Sequence, residues 1–114
     1  MKPILCLDFD GVIHSYTSGW LGYNIIPDNP VRGAKEFIEK SSEFFEIYVF
    51  STRCNRTEGI EAIKKWLLKW GFPKLNVVFE KPPAFLTIDD RAIQFNGEWP
   101  EIEVLKNFRT WIEK

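Results

Sequence analysis

An apolar run that ends in two carboxylates and a glycine, Leu5-Cys6-Leu7-Asp8-Phe9-Asp10-Gly11, limits what this chain can fold into more than any other stretch. An unbroken apolar segment such as Ile4 to Leu7 reads as a strand buried on both faces, which puts Asp8 at its C-terminal tip. Open α/β sheets bind their ligands at that edge. Side chains at i and i+2 of a strand point the same way, so Asp8 and Asp10 can face one bound group, and Gly11 lets the backbone turn away without a Cβ clash. Two converging carboxylates suit a hard divalent cation, most simply Mg²⁺. Asp-x-Asp-Gly also occurs in ordinary turns, where Asp caps backbone N–H groups. The rest of the chain must decide between the two.

The 114 residues, 45% of them hydrophobic, fit one domain (residues 1–114) around one core. Fifteen Lys and Arg against 16 Asp and Glu leave a net charge of −1. A chain so balanced lacks the broad positive field of an extended nucleic-acid binder. Cys6 and Cys54 have neither the spacing of metal ligands nor the pattern of a disulfide framework, so the chain reads as reduced and cytoplasmic. No apolar stretch is long enough to span a membrane, and no signal-peptide pattern precedes Ile4.

Beyond Asp10, the residues from Val12 to Ile26 combine Gly19 and Gly22 with Tyr16, Trp20 and Tyr23, which suits a β-hairpin or irregular flap over the Asp8 tip. Asn29 and Pro30 predict a helix start, with Val31, Ala34, Phe37, Ile38 and Ser41 on one face up to about Ser42. Phe45 to Phe50 is a second strand running into Ser51-Thr52-Arg53. Thr57 is a candidate cap for a helix carrying Ile60, Ile63, Leu67 and Trp70 on one face, stopped by Gly71 and Pro73. Leu75 to Phe79 is a third strand, Glu80-Lys81-Pro82-Pro83 a rigid turn, and Phe85 to Ile88 a fourth strand ending in Asp89-Asp90. A short Ile93 to Phe95 piece and a final helix with Ile102, Leu105, Phe108 and Ile112 on one face complete the chain.

Strands alternating with amphipathic helices predict a doubly wound, Rossmann-like parallel sheet with both faces covered. Three strand tips then carry polar chemistry at one edge: Asp8 with Asp10, Ser51 with Arg53, and Asp89 with Asp90. Turn-capping aspartates have no reason to collect at successive strand ends. Carboxylates gathered in this way call for a counter-ion.

These residues, in this order, resemble the four motifs of the haloacid dehalogenase-like (HAD) hydrolase superfamily over nearly the whole chain. Asp8-Phe9-Asp10-Gly11-Val12 looks like the first motif, Ser51 like the second, Lys81 like the third and Ile88-Asp89-Asp90 like the fourth. The resemblance implies an Mg²⁺-dependent phosphatase of the small, capless kind. In it Asp8 would form an aspartyl-phosphate and Asp10 would serve as general acid and base. Ser51, Thr52 and Lys81 would bind the phosphoryl group, and Lys81 would also pair with Asp8. The metal would be held by Asp8, the Asp10 carbonyl and the acids Asp89 and Asp90, with Asp90 the direct ligand. Ser-x-Arg at Ser51 and Arg53 is similar to the phosphatase domain of polynucleotide kinases, so a polynucleotide 3′-phosphatase is an alternative, with Arg53 gripping a second phosphate. A non-enzymatic phosphoacceptor or binding domain of the receiver kind is another, though there the acid pair would come first and the lysine last.

The remaining candidates divide by setting. His14, the only histidine, is set aside as a partner in a local hydrogen bond. Arg91 reads as a partner of the acids beside it. Trp66, Trp70 and Trp111 fall on buried helix faces; Trp20 and Trp99 are the tryptophans available to a substrate or to a subunit contact. With no cap domain the site would be open, which suits a bulky phosphoester or closure by another subunit in a homo-oligomer.

Overall fold

Leu5, Cys6 and Leu7 form a strand because each is apolar and each finds a neighbour on both sides. In the computed structural model, which describes residues 1–113, strand β1 (Ile4–Leu7) is flanked by two parallel partners. Strand β2 (Glu46–Val49) pairs along one edge, Leu5 opposite Ile47 and Leu7 opposite Val49. Strand β4 (Leu86–Ile88) pairs along the other, Leu5 opposite Leu86 and Leu7 opposite Ile88. Strand β3 (Asn76–Val77) lies beyond β2, giving the order β3-β2-β1-β4 with every ladder parallel.

Parallel partners at one level share a face. Leu5, Leu7, Ile47, Val49, Leu86 and Ile88 therefore line one side of the sheet, and Cys6, Tyr48, Thr87 and Asn76 the other. The first row carries the core. Leu5, Leu7, Ile47 and Val49 form one buried cluster with Ile38 of helix α1 (Ala34–Ser41) and with Ile63, Trp66 and Leu67 of helix α2 (Thr57–Lys69). From β1 through β2 to β3 the chain steps in one direction, and right-handed crossovers then put α1 and α2 on the same face.

The return from β3 to β4 crosses back over β1, and the segment 78–85 that makes it carries no helix. Helix α3 (Ile102–Lys106) buries none of its residues. The strand order thus reverses direction at β1, as in a Rossmann-like doubly wound sheet, but only the crossovers from β1 to β2 and from β2 to β3 carry a helix. The final helix is also shorter than predicted, because its apolar stripe finds no surface to dock on. Ile93 to Phe95 forms no regular element.

The first helix begins later than Asn29 and Pro30 suggest. Residues 29–31 are engaged elsewhere: Ser15 N–H donates to the Asn29 carbonyl at 2.9 Å, and Val31 N–H to the Ile13 carbonyl at 2.8 Å. Helix α1 starts at Ala34, after Gly33 at φ +84°. Helix α2 starts at Thr57 as expected, but Arg56 holds the cap position and no side chain caps it. The stretch from Val12 to Asn29 is an irregular flap, joined to the body at His14 and Pro30, and not a hairpin.

Candidate active site

The register levels the strand tips. With Leu7 opposite both Val49 and Ile88, residues 8, 50 and 89 leave the sheet side by side. Phe50 N–H donates to the Leu7 carbonyl and Asp8 N–H to the Ile88 carbonyl, so the ladders close just below the acids. β1 lies between strands that the chain reaches in opposite directions, and the crevice of an α/β sheet opens at such a point.

After Asp8 the chain turns sharply. The Phe9 carbonyl accepts hydrogen bonds from the N–H groups of Val12, Ile13 and His14, and Gly11 sits at φ +85°. A Cβ at Gly11 would collide with the Asp90 carboxylate. Glycine is required there both by the backbone angle and by the acid lying against it.

Carboxylate oxygens of Asp8, Asp89 and Asp90 lie within 4.8 Å of one another. Burial lifts the Asp8 carboxyl to a pKa of about 8, with added push from the Asp89 charge and from a hydrogen bond shared with Asp90. Asp89 also accepts the Arg91 N–H at 2.8 Å, which fixes the turn after β4. Asp8, Asp10, Ser51, Thr52 and Asp90 line one pocket of about 440 Å³, whose other wall is Tyr16, Trp20, Tyr23 and Arg91.

Asp10 is held from both sides. Arg53 Nε donates to its Oδ2 at 2.8 Å, and His14 Nδ1 lies 2.9 Å from its Oδ1. The His14 tautomer follows from its other nitrogen: Asp28 N–H donates to Nε2 at 3.1 Å, so Nε2 is the acceptor and Nδ1 carries the proton given to Asp10. His14, set aside on sequence grounds, is fully buried and belongs to this arrangement. Its spacing from Asp10 is the signal that was there to read.

Arg53 departs from expectation. It is 0% exposed, and its Nη1 donates to the carbonyls of Gly22 and Tyr23 while its guanidinium stacks on Trp20 at 4.7 Å. It does not line the pocket. Instead of gripping a phosphate, Arg53 fastens the flap to Asp10, because a buried guanidinium needs the carboxylate and carbonyls that the flap supplies. Its Nη2 has no hydrogen-bond partner among the described residues.

Ser51 is buried and its hydroxyl oxygen accepts the Arg53 N–H at 3.1 Å, capping the 3₁₀ turn Thr52–Asn55. That turn packs on α2 at Gly59, where a Cβ would collide with the Arg53 carbonyl. Sequence reasoning passed over Gly59, since a lone helical glycine gives no sign of what backbone lies against it.

Lys81 is the predicted site residue not drawn in. Its side chain is exposed and has no ion pair among the described residues, so the expected pair with Asp8 is not formed. Strand β3 ends at Val77, and the turn before Pro82 and Pro83 leaves the lysine in solvent. The Arg91 side chain bonds Glu113 at 3.4 Å, and it is the Arg91 backbone N–H that reaches Asp89. Trp66 is core as expected, whereas Trp111 is half exposed and its indole N–H donates to the Gly11 carbonyl at 2.7 Å. Cys6 and Cys54 are free and buried, and burial raises both thiols. Among the described residues no helix is long and apolar enough to cross a membrane. Comparison with protein-family models, with curated proteins and with solved structures finds no match.

Proposed function

We propose that this chain is an Mg²⁺-dependent phosphomonoester hydrolase working through a phospho-aspartyl intermediate on Asp8. What carries the proposal is the gathering of Asp8, Asp89 and Asp90 within 4.8 Å, with Asp8 and Asp90 lining one pocket beside Asp10 and Ser51. The resemblance of the same residues, in order, to the HAD superfamily supports it.

The donor set fits the metal. Asp8, Asp89 and Asp90 offer only oxygen ligands, the kind Mg²⁺ takes, and the raised pKa of Asp8 marks a place short of positive charge. Asp8, Asp89 and Asp90 would hold the ion, with the Asp10 carbonyl as a further ligand. Bound there, Mg²⁺ would keep the clustered carboxylates ionised and screen them from an incoming phosphate.

In the first half-reaction an Asp8 oxygen bonds to phosphorus as the phosphorus–alkoxide bond breaks, and Asp10 gives a proton to the leaving oxygen. In the second, Asp10 takes a proton from water, which attacks the acyl phosphate, freeing inorganic phosphate and restoring Asp8. The Ser51 hydroxyl hydrogen is free to donate to a phosphoryl oxygen, since its oxygen only accepts from Arg53 N–H. His14 and Arg53 set the direction of the Asp10 carboxylate. The two free cysteines suit a reducing compartment, and the cytoplasm is proposed.

The test is phosphate release from aryl, nucleotide, sugar and 3′-oligonucleotide phosphates, with Mg²⁺ or with chelator. Asp8→Asn keeps the shape of the side chain but not the nucleophile, and should abolish turnover. Substantial activity in that variant, or activity indifferent to chelation, would reject the mechanism.

A further inference from the structure

The pocket has two unlike walls. One is the carboxylates with Ser51 and Thr52; the other is Tyr16, Trp20 and Tyr23 with Arg91. Phosphoryl chemistry has no need of the second wall, and each of its rings is held in place. Trp20 rests on the buried Arg53 guanidinium at 4.7 Å and meets Tyr23 edge-on at 5.0 Å. Tyr23 in turn lies under the Arg56 guanidinium at 4.6 Å. Tyr16 has φ +62°, the one non-glycine residue among those described with a positive φ, and its ring meets His14 edge-on at 6.0 Å.

A tyrosine in the left-handed region costs on the order of 1 kcal/mol or more, and such strain persists where surrounding structure enforces it. Trp20 nevertheless remains 45% exposed. A large ring that is fixed by a buried cation yet faces solvent beside a pocket is preorganised to stack on something. If the wall served only to pack the flap, Trp20 would be expected to turn inward, as Trp66 does at 5% exposure.

We infer that the organic part of the substrate carries a planar ring, such as a nucleobase, that stacks on the wall of Tyr16, Trp20 and Tyr23. The inference rests on the phosphatase proposal for its reaction, but the ring site itself does not need turnover. Arg53 ties the two walls together, since the same guanidinium holds Asp10 and supports Trp20. A ring seated on Trp20 is thereby set at a fixed offset from the acid that protonates its leaving oxygen.

The experiment compares substrates alike at phosphorus and unlike only in the ring: a nucleoside 5′-monophosphate against ribose 5-phosphate, and benzyl phosphate against cyclohexylmethyl phosphate. One base–aromatic stack supports a preference for the ring-bearing member of about 5- to 150-fold in kcat/KM. Trp20→Ala should shrink that preference at least severalfold, and Trp20→Phe should restore most of it. A general loss through Arg53 and Asp10 would lower both members of a pair together and leave their ratio alone. Equal rates within the pairs, or a ratio that Trp20→Ala does not change, would overturn the inference.

Equilibrium binding of the nucleoside 5′-monophosphate and of ribose 5-phosphate, followed by nuclear magnetic resonance with Asp8→Asn protein, separates this inference from the phosphatase proposal. Ring-dependent binding by a chain without turnover in wild-type form would retire the phosphatase and keep the ring site. Turnover without ring-dependent binding would do the reverse.

Discussion

On one side of β1, Ile47 and Val49 are 4% and 0% exposed; on the other, Leu86 and Ile88, paired with the same two residues of β1, are 53% and 36% exposed. Backbone pairing is alike on the two flanks, and packing is not. The β2 flank is backed by α2 through Ile63, Trp66 and Leu67, while the β4 flank leaves Phe37, Phe44 and Phe85 facing solvent. The candidate site draws on both. Ser51 and Arg53 come from the packed flank and are buried; Asp89, Lys81 and Arg91 come from the sparse one and are exposed. Ser51 and Arg53 stand on firm ground, and Asp89 stands on thin support. A cation shared by Asp8, Asp89 and Asp90 would then stabilise the sparse flank as well.

The contrast breaks most visibly in the core. Ile63→Ala should cost about 2–5 kcal/mol in urea unfolding, as expected for a fully buried aliphatic side chain. Next comes Gly11→Ala, which forces the backbone out of φ +85° and pushes on Asp90 across the flanks. A loss of about 1–3 kcal/mol is expected, together with weakened Mg²⁺ binding by calorimetry. Unchanged Mg²⁺ affinity would show that Asp90 is not a ligand.

Titration sharpens the comparison. Asp8 holds its proton more tightly in the metal-free fold than in the unfolded chain, so its stabilisation is complete below about pH 4 and declines as pH rises. It is gone above about 8. Mg²⁺ competes with that proton, so its affinity should rise about tenfold per pH unit up to about 8 and then level off. Hydrogen exchange should slow on Mg²⁺ addition around residues 86–91 more than around 46–50. A uniform change would mean the ion does not act on the β4 flank.

His14 offers a smaller and more selective effect. Asn places an amide N–H near the position of Nδ1, whereas Gln places its amide near Nε2. If Asp10 is the general acid proposed above, His14→Asn should keep kcat at least about tenfold above His14→Gln. Equal kcat in the two variants would remove His14 from the support of Asp10. At the bottom of the scale, Val104→Ala on α3 should shift stability by no more than about 0.5 kcal/mol, because α3 buries nothing.

The strands were legible in the sequence because their apolar runs are bounded by polar tips, and the parallel order follows from the helices between them. Helix α2 was legible from Ile63 and Leu67, which fall on its buried face. The start of α1 was hidden because Asn29 and Val31 are drawn into pairing with Ser15 and Ile13, a long-range contact that local capping signals do not register. The α3 stripe predicted a longer helix because periodicity records what a segment can bury, not whether a partner surface exists. At the site, Asp8, Asp10, Ser51 and Asp90 could be placed from strand ends alone. The inward turn of Arg53 and the role of His14 could not, since both depend on a flap whose path no periodicity sets.

The loop from Phe9 to His14 closes on one carbonyl, within a few residues of Asp8 and Asp10. Asp89 and Asp90 reach the same place only about 80 residues further along the chain. Short loops close fast and distant contacts wait on chain entropy, so the first-made half of the site can take shape during synthesis while the acid cluster forms last. A chain released before residue 85 would carry Asp8, Asp10 and His14, and would still lack Asp89 and Asp90. Under the proposed function, activity would switch on only once β4 has found β1.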